Sequence, residues 1–224
     1  MLALMLNVLF SGYGDMDYMN YTAAVNFLKQ ADPVLAGLIG RVGPCQLHQR
    51  QQTGDLLTCL CRTVIDQQLS TKAADTIYRR FLQLYPDQVS PSAQALLDMS
   101  DDRLRGAGIS RRKVAYLKDL AQHVLTGLPE LETLAEMDDE AIIKVLTQVK
   151  GIGVWSVQML LIFRLQRLHV LAVEDMGLRS AMRRLYGLEQ LPNQQQFKEI
   201  GARWWPYGAI ASWYLWRSLD LKDP

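Results

Sequence analysis

The sequence predicts an all-α chain. Apolar residues recur at helical spacing along most of its length, and most of these stretches open on a Ser or Asp able to cap a helix. No alternation of apolar and polar residues lasts long enough to make a strand. The single β-like run, His169 to Val173, reads as a short strand or merely an extended connection. About ten helices are expected, with no low-complexity linker between them.

Met1 to Phe10 is apolar but lacks a positive flank and an Ala-x-Ala-like cleavage site, and it is too short to span a bilayer. Residues 1–17 therefore read as a mobile leader or a segment packed on the body, with the folded body over 18–224. Leu56, Leu57, Leu60, Val64 and Ile65 form one helical stripe. Ser70 caps a second helix carrying Ala73, Ala74, Ile77, Phe81 and Leu82. Pro86 and Pro91 bracket a loop, and Ser92 opens a short helix. Ser110 caps another, with Val114, Leu117, Leu120, Ala121 and Val124 on its face; Gly127 and Pro129 close it. Asp138 or Asp139 starts a helix carrying Ile142, Ile143, Leu146 and Val149. Val154 to Leu165 is apolar enough to be buried, and Pro206 opens a last, aromatic-rich helix over Tyr207 to Leu219. An internal echo appears as well. Met99-Ser100-Asp101-Asp102 precedes Gly108-Ile109-Ser110, and Met137-Asp138-Asp139-Glu140 precedes Gly151-Ile152-Gly153, either as two similar helix–turn–helix units or by chance.

Composition narrows the function. With 224 residues the chain makes one large domain or two small ones, large enough to need neither disulfide nor structural metal. Lys plus Arg is 24 and Asp plus Glu is 23, a net charge of +1. That excludes a basic tail-type nucleic-acid binder and an acidic disordered domain, but not DNA binding through a local patch. Cys45, Cys59 and Cys61 are odd in number and contain no Cys-x-x-Cys pair, which argues against a disulfide framework, a zinc ribbon and an iron–sulfur site. An intracellular setting is expected, in cytoplasm, nucleoid or nucleus, without a membrane partner. His48, His123 and His169 have no metal-ligand spacing. Nothing suggests a coiled coil, so a monomer is expected.

The sharpest local feature is Val149-Lys150-Gly151-Ile152-Gly153-Val154-Trp155, a tight Gly-x-Gly turn between two helical patterns. Glycine tolerates positive φ and lets another backbone come close. The amides that open the second helix, with its positive dipole end, would make a phosphate site without a basic side chain. Equally, the glycines merely end one helix and begin the next. Downstream, Val173-Glu174-Asp175-Met176-Gly177-Leu178-Arg179 puts an acidic pair at a helix start, where a carboxylate stays ionised or simply serves as an N-cap.

Together these residues resemble the helix-hairpin-helix–Gly/Pro–Asp (HhH-GPD) superfamily of base-excision DNA glycosylases, and within it the DNA-3-methyladenine glycosylase II group. The resemblance rests on Ile65-Asp66-Gln67-Gln68-Leu69-Ser70-Thr71-Lys72-Ala73-Ala74, Gly108 to Lys113, Lys150 to Ser156, Glu174 to Arg179, and Trp205-Pro206-Tyr207 with Ser212 to Arg217. It implies a two-lobed helical fold with the active site between the lobes and the helix-hairpin-helix at about 138–167, here without the N-terminal β domain of longer members. It also implies monofunctional hydrolysis of alkylated bases, such as 3-methyladenine and 7-methylguanine, flipped out of duplex DNA for base-excision repair.

The resemblance assigns the carboxylate that stabilises the cationic sugar to Asp175, with Glu174 second. Trp155, Trp216 and Tyr214 are expected in the base pocket, against a core role for each; Trp213 is read as core. Lyase members carry lysine where Trp155 stands, and Lys150 lies on the wrong side of the hairpin to replace it. Gln68 is the expected DNA wedge, with Leu69 second although Leu69 also suits the core. Gly151, Gly153, Lys150, Thr71 and Lys72 are expected at the DNA backbone; for Arg111, Arg112 and Lys113 a phosphate contact and a solvated face are equal alternatives. Asp66 departs from the glycine common at its position and would alter the loop or repel a phosphate. No cofactor is required, but the resemblance implies Na+ or K+ on the carbonyls of Val149, Gly151 and Gly153. The rival readings are a non-enzymatic DNA-binding module, in which Asp175 is only a cap, and a glycosylase for another damaged base.

Overall fold

The computed structural model describes residues 13–50, 54–86 and 90–221. These form thirteen α-helices and two short 3-10 segments, and among the described residues there is no strand. His169 to Val173 is accordingly a connection of turns and irregular backbone. Residues 1–12, most of the expected leader, lie outside the described residues. Chain contacts cluster in two units. One takes the chain up to Gln49 and again from Arg167; the other takes Arg50–Gln166.

The Arg50–Gln166 unit holds α3 (Leu56–Asp66), α4 (Thr71–Leu82), α5 (Ala93–Asp98), α6 (Asp101–Gly106), α7 (Arg111–Leu125), α8 (Leu131–Glu136), α9 (Asp139–Leu146) and α10 (Val154–Phe163). The expected caps hold: Ser70, Ser92, Ser110 and Asp138 each accept a backbone N–H from the first turn of their helices. Each such bond satisfies a donor that a helix start leaves orphaned and is worth about 1 kcal/mol. α7 is the central helix, packed on α3 and α5, with Leu117, Leu120 and Ala121 fully buried. α10 packs on α3 and buries Val157, Met159, Leu160, Leu161 and Ile162.

The internal echo is structural. α6 passes to α7 through Gly108 at φ +100°, a buried Ile109 and the cap Ser110. α9 passes to α10 through Gly151 at φ +81°, a buried Ile152 and the cap Gly153. In both, a glycine takes the left-handed step, the isoleucine plugs the turn from below, and the next residue opens a helix.

The other unit holds α1 (Tyr13–Ala31), α2 (Pro33–Val42), α11 (Met176–Leu185), α12 (Gln194–Gly201) and α13 (Gly208–Ser218). α13 packs on α2 and α11 and is buried along almost its whole length. Tyr207 and Leu219 are its caps, and Pro206, after a cis peptide, stands just ahead of them. Buried Asp32 is this unit's polar hub. It caps α2 through Val34 N and Leu35 N, and takes the Tyr186 hydroxyl at 2.5 Å and the Trp204 indole N–H at 2.9 Å. Burial pushes its pKa up, but those hydrogen bonds outweigh burial and hold it below the ordinary carboxylate range.

Candidate functional site

Asp175 is the N-cap of α11. Its Oδ1 accepts the Leu178 amide at 2.7 Å and the Trp216 indole N–H at 3.2 Å. The apolar approach through Val170, Ala172 and Val173 is buried, so the chain emerges from the core as the helix starts and the carboxylate is left only half-buried. Gly177 keeps the space beside it open, since a Cβ there would lie 3.1 Å from Oδ1. As N-cap the carboxylate satisfies an amide that the first turn of α11 would otherwise leave orphaned. Glu174 is exposed instead, and its carboxylate accepts from the Gln194 amide at 3.2 Å. The structure therefore joins Asp175 and half-buried Trp216, assigned separately from sequence, in one hydrogen-bonded pair.

Tyr214 corrects the expectation. It is fully buried, stacks edge-on to Trp213 and donates its hydroxyl to the Gly43 carbonyl at 3.0 Å. No base can reach its ring, so it is a core residue, as Trp213 is.

In the Arg50–Gln166 unit two turns carry the remaining assignments. At the hairpin, Gly151 is required twice over, by its left-handed φ and by Tyr116 of α7, whose ring would lie 2.2 Å from an added Cβ. Gly153 has φ −97° and open space around it, and as N-cap it supplies no side-chain acceptor to the first turn of α10. Trp155 sits half-buried in that first turn. Lys150 is exposed, but its backbone amide donates to Asp119 of α7 at 2.8 Å and its ammonium lies 3.6 Å from the same carboxylate. That amide is thus already engaged by a side chain, and the Lys150 charge is shared with Asp119.

The second turn joins α3 to α4. Gln68 and Leu69 are exposed, Leu69 by 38%, so Leu69 is not core. Gln68 has φ +59°, unusual for a residue with a side chain. Gln67, given no role from sequence, donates through Nε2 to the Gly151 carbonyl at 2.8 Å and to Ser156 Oγ at 3.2 Å, tying this turn to the hairpin. Half-buried Asp66 accepts from Arg62 at 2.9 Å. Arg62 also meets Asp75 at 2.5 Å and lies over the Tyr78 ring. Burial raises the Asp66 pKa despite Arg62. The pairing with Arg62 offsets the charge by which Asp66 is expected to repel a phosphate. Lys72 is exposed; the Thr71 side chain lies outside the described residues.

The basic cluster splits. Arg111 and Arg112 are exposed, with Arg112 over the Tyr116 ring, whereas Lys113 donates to the carbonyls of Ile65 and Gln67, both at 2.8 Å. Burial holds the Lys113 ammonium below the ordinary lysine range, opposed by Asp66. Gln67 and Lys113 stand in stretches that carry the resemblance and Tyr116 and Asp119 do not, but only the fold shows how the four meet at the two turns.

The carbonyls implied for a monovalent cation each accept a hydrogen bond already: Val149 from Ile152 N, Gly153 from Val157 N and Gly151 from Gln67. A cation there would use the second lone pair of each oxygen. Among the described residues no group of three or more His, Cys, Asp or Glu could hold a metal ion. No described helix is long and apolar enough to cross a membrane. All three cysteines are buried thiols.

Residues 61–207 match the family described as HhH-GPD superfamily base excision DNA repair protein. The chain is 34% identical over 190 residues to DNA-3-methyladenine glycosylase 1 of Schizosaccharomyces pombe, covering 84% of this chain and 82% of that one. It superposes on the solved structure of the S. pombe 3-methyladenine DNA glycosylase in complex with abasic DNA with a TM-score of 0.85 at 32% identity, covering 89% and 97% of the two chains. A DNA-3-methyladenine glycosidase of Bacillus halodurans gives a TM-score of 0.69 at 34% identity, covering 85% and 86%.

Proposed function

The chain belongs to the HhH-GPD superfamily of base excision DNA repair proteins, and we propose that it is a monofunctional DNA glycosylase that removes alkylated purines, of the 3-methyladenine and 7-methylguanine type, from duplex DNA. The observation that carries this is the Asp175–Trp216 pair: a helix-capping carboxylate fixed by an indole in a chain of this family.

Methylation at a ring nitrogen leaves the base cationic, so it departs readily. The bond between C1′ and the base nitrogen breaks, and its electron pair leaves with the base, neutralising it. The sugar becomes cationic, and water adds to C1′ with loss of a proton. The carboxylate of Asp175 stabilises the cationic sugar electrostatically and orients the water. The Leu178 and Trp216 N–H groups hold that carboxylate in one rotamer. The Trp216 face offers an electron-deficient base a stacking surface worth about 0.5–2 kcal/mol. Trp155 supports simple hydrolysis, because an indole provides no amine to attack C1′. The hairpin and the 67–69 turn act on the duplex, the first at the backbone and the second by filling the space left by the flipped nucleotide.

The test is base release from DNA methylated at purine nitrogens, with released bases resolved by chromatography. Free 3-methyladenine and 7-methylguanine are expected, with intact strands and no borohydride-trapped protein–DNA adduct. A trapped adduct would overturn the monofunctional reading, and absence of any methylated base would overturn the substrate class.

A further inference from the structure

We propose that Lys113 is a positioning residue that locks the exposed Gln68 turn into its left-handed form, so that the wedge is preset before DNA arrives. This rests on the reading of the chain as a base-flipping glycosylase. Residues Asp66 to Leu69 close a β-turn through Leu69 N to Asp66 O at 3.1 Å. Gln67 has φ −48° and ψ 126°, and Gln68 has φ +59°. These three angles match a type II turn, in which the second central residue is normally glycine. A glutamine there is better served by type I geometry, which differs mainly by a flip of the peptide linking the two central residues. That flip would reverse the Gln67 carbonyl and re-aim the Gln68 side chain.

The Gln67 carbonyl is one of two oxygens that Lys113 grips at 2.8 Å. The other is the carbonyl of Ile65, in the last turn of α3, so the ammonium is anchored on a buried helix. Lys113 itself springs from the first turn of α7, whose cap Ser110 accepts the Lys113 amide. A positive charge on that carbonyl opposes the flip, because a type I turn would withdraw the acceptor. Gln67 adds a second brace through the Gly151 carbonyl. Lys113 therefore acts inward on the turn, and a phosphate contact is the competing role for the same ammonium.

Lys113→Met tests this, with Lys113→Arg as the conservative rescue and Lys113→Gln as the substitute should Lys113→Met fail to fold. The turn is read directly by NMR. The Gln67 Hα to Gln68 amide cross-peak, strong in a type II turn, should be strong in the wild type and in Lys113→Arg and weak in Lys113→Met. Single-turnover release of a methylated purine should fall roughly tenfold in a duplex. It should fall less than about twofold when the purine sits in an unpaired bubble, where no wedge is needed. The salt dependence of binding to abasic DNA should keep its wild-type slope. An unchanged cross-peak in Lys113→Met would overturn the proposal, and a salt slope shallower by about one would overturn it in favour of a phosphate contact. Should the wild type release no base, the glycosylase reading fails, and the cross-peak alone then upholds or overturns the lock.

Discussion

Gly151→Ala is the substitution whose cost follows most directly from the structure. Two costs add. The backbone at φ +81° places alanine in the left-handed region, at about 1–2 kcal/mol. The new Cβ would also meet Tyr116 ring carbons at 2.2–2.6 Å, closer than any real contact, so the hairpin or α7 must move. Overpacking of this kind costs about 1–3 kcal/mol. A total of about 2–5 kcal/mol corresponds, for a chain of this size, to a fall in melting temperature of roughly 4–20 °C. The neighbouring Gly153→Ala supplies the control within the same motif, because φ is −97° there and nothing lies within 4 Å of a Cβ. It should shift stability by less than about 0.5 kcal/mol, a small loss of capping being offset by lower unfolded-state entropy. Thermal unfolding followed by circular dichroism compares the two. Equal melting temperatures for both variants, or a Gly151→Ala protein within about 1 °C of wild type, would refute the reasoning.

Two further outcomes concern carboxylates whose pKa values are displaced in opposite directions, Asp32 and Asp66. Asp32→Ala strands the Tyr186 hydroxyl and Trp204 indole N–H and should cost about 3–5 kcal/mol in urea unfolding; a loss under 1 kcal/mol would deny Asp32 its hub role. Because the folded Asp32 pKa is depressed, its contribution is present above the unfolded value of about 3.9 and is lost as pH falls through the folded one. Asp66 is raised, so its contribution runs the other way, present below the unfolded value and lost as pH rises through the folded one. Asp66→Asn should consequently change stability by less than about 1 kcal/mol at neutral pH. It should also leave the salt slope of DNA binding unchanged, since Asp66 faces Arg62; a steeper slope would mean that Asp66 meets the phosphates.

What the sequence made legible was local. Ser70, Ser92, Ser110, Asp138 and Asp175 cap helices because a short polar side chain reaches an amide two or three residues away, a relation written in adjacent letters. The Gly108 and Gly151 turns were readable as an echo for the same reason. The final helix was harder. It is apolar on nearly every side, so its periodicity points to no single face, and Tyr214 and Trp216 looked alike although one lies in the core and the other meets Asp175. The consecutive basic residues Arg111, Arg112 and Lys113 were likewise indistinguishable until the path of α3 gave Lys113 its acceptors, nearly fifty residues upstream by sequence. The Asp32 pairing spans still more, reaching Tyr186 and Trp204 across the chain. Contacts of that range depend on topology and leave no spacing to read.

The central claim is that Asp175 is the carboxylate of a glycosylase and not only a helix cap, and Asp175→Asn separates the two roles. The amide oxygen of asparagine still accepts the Leu178 and Trp216 N–H groups, so the cap survives while the charge goes. The measurement is single-turnover release of methylated purines by wild type and by Asp175→Asn, with melting temperature and abasic-DNA affinity recorded on the same preparations. The account predicts near-wild-type stability and binding with release lowered by about a hundredfold or more. Wild-type release from a folded Asp175→Asn protein would contradict it.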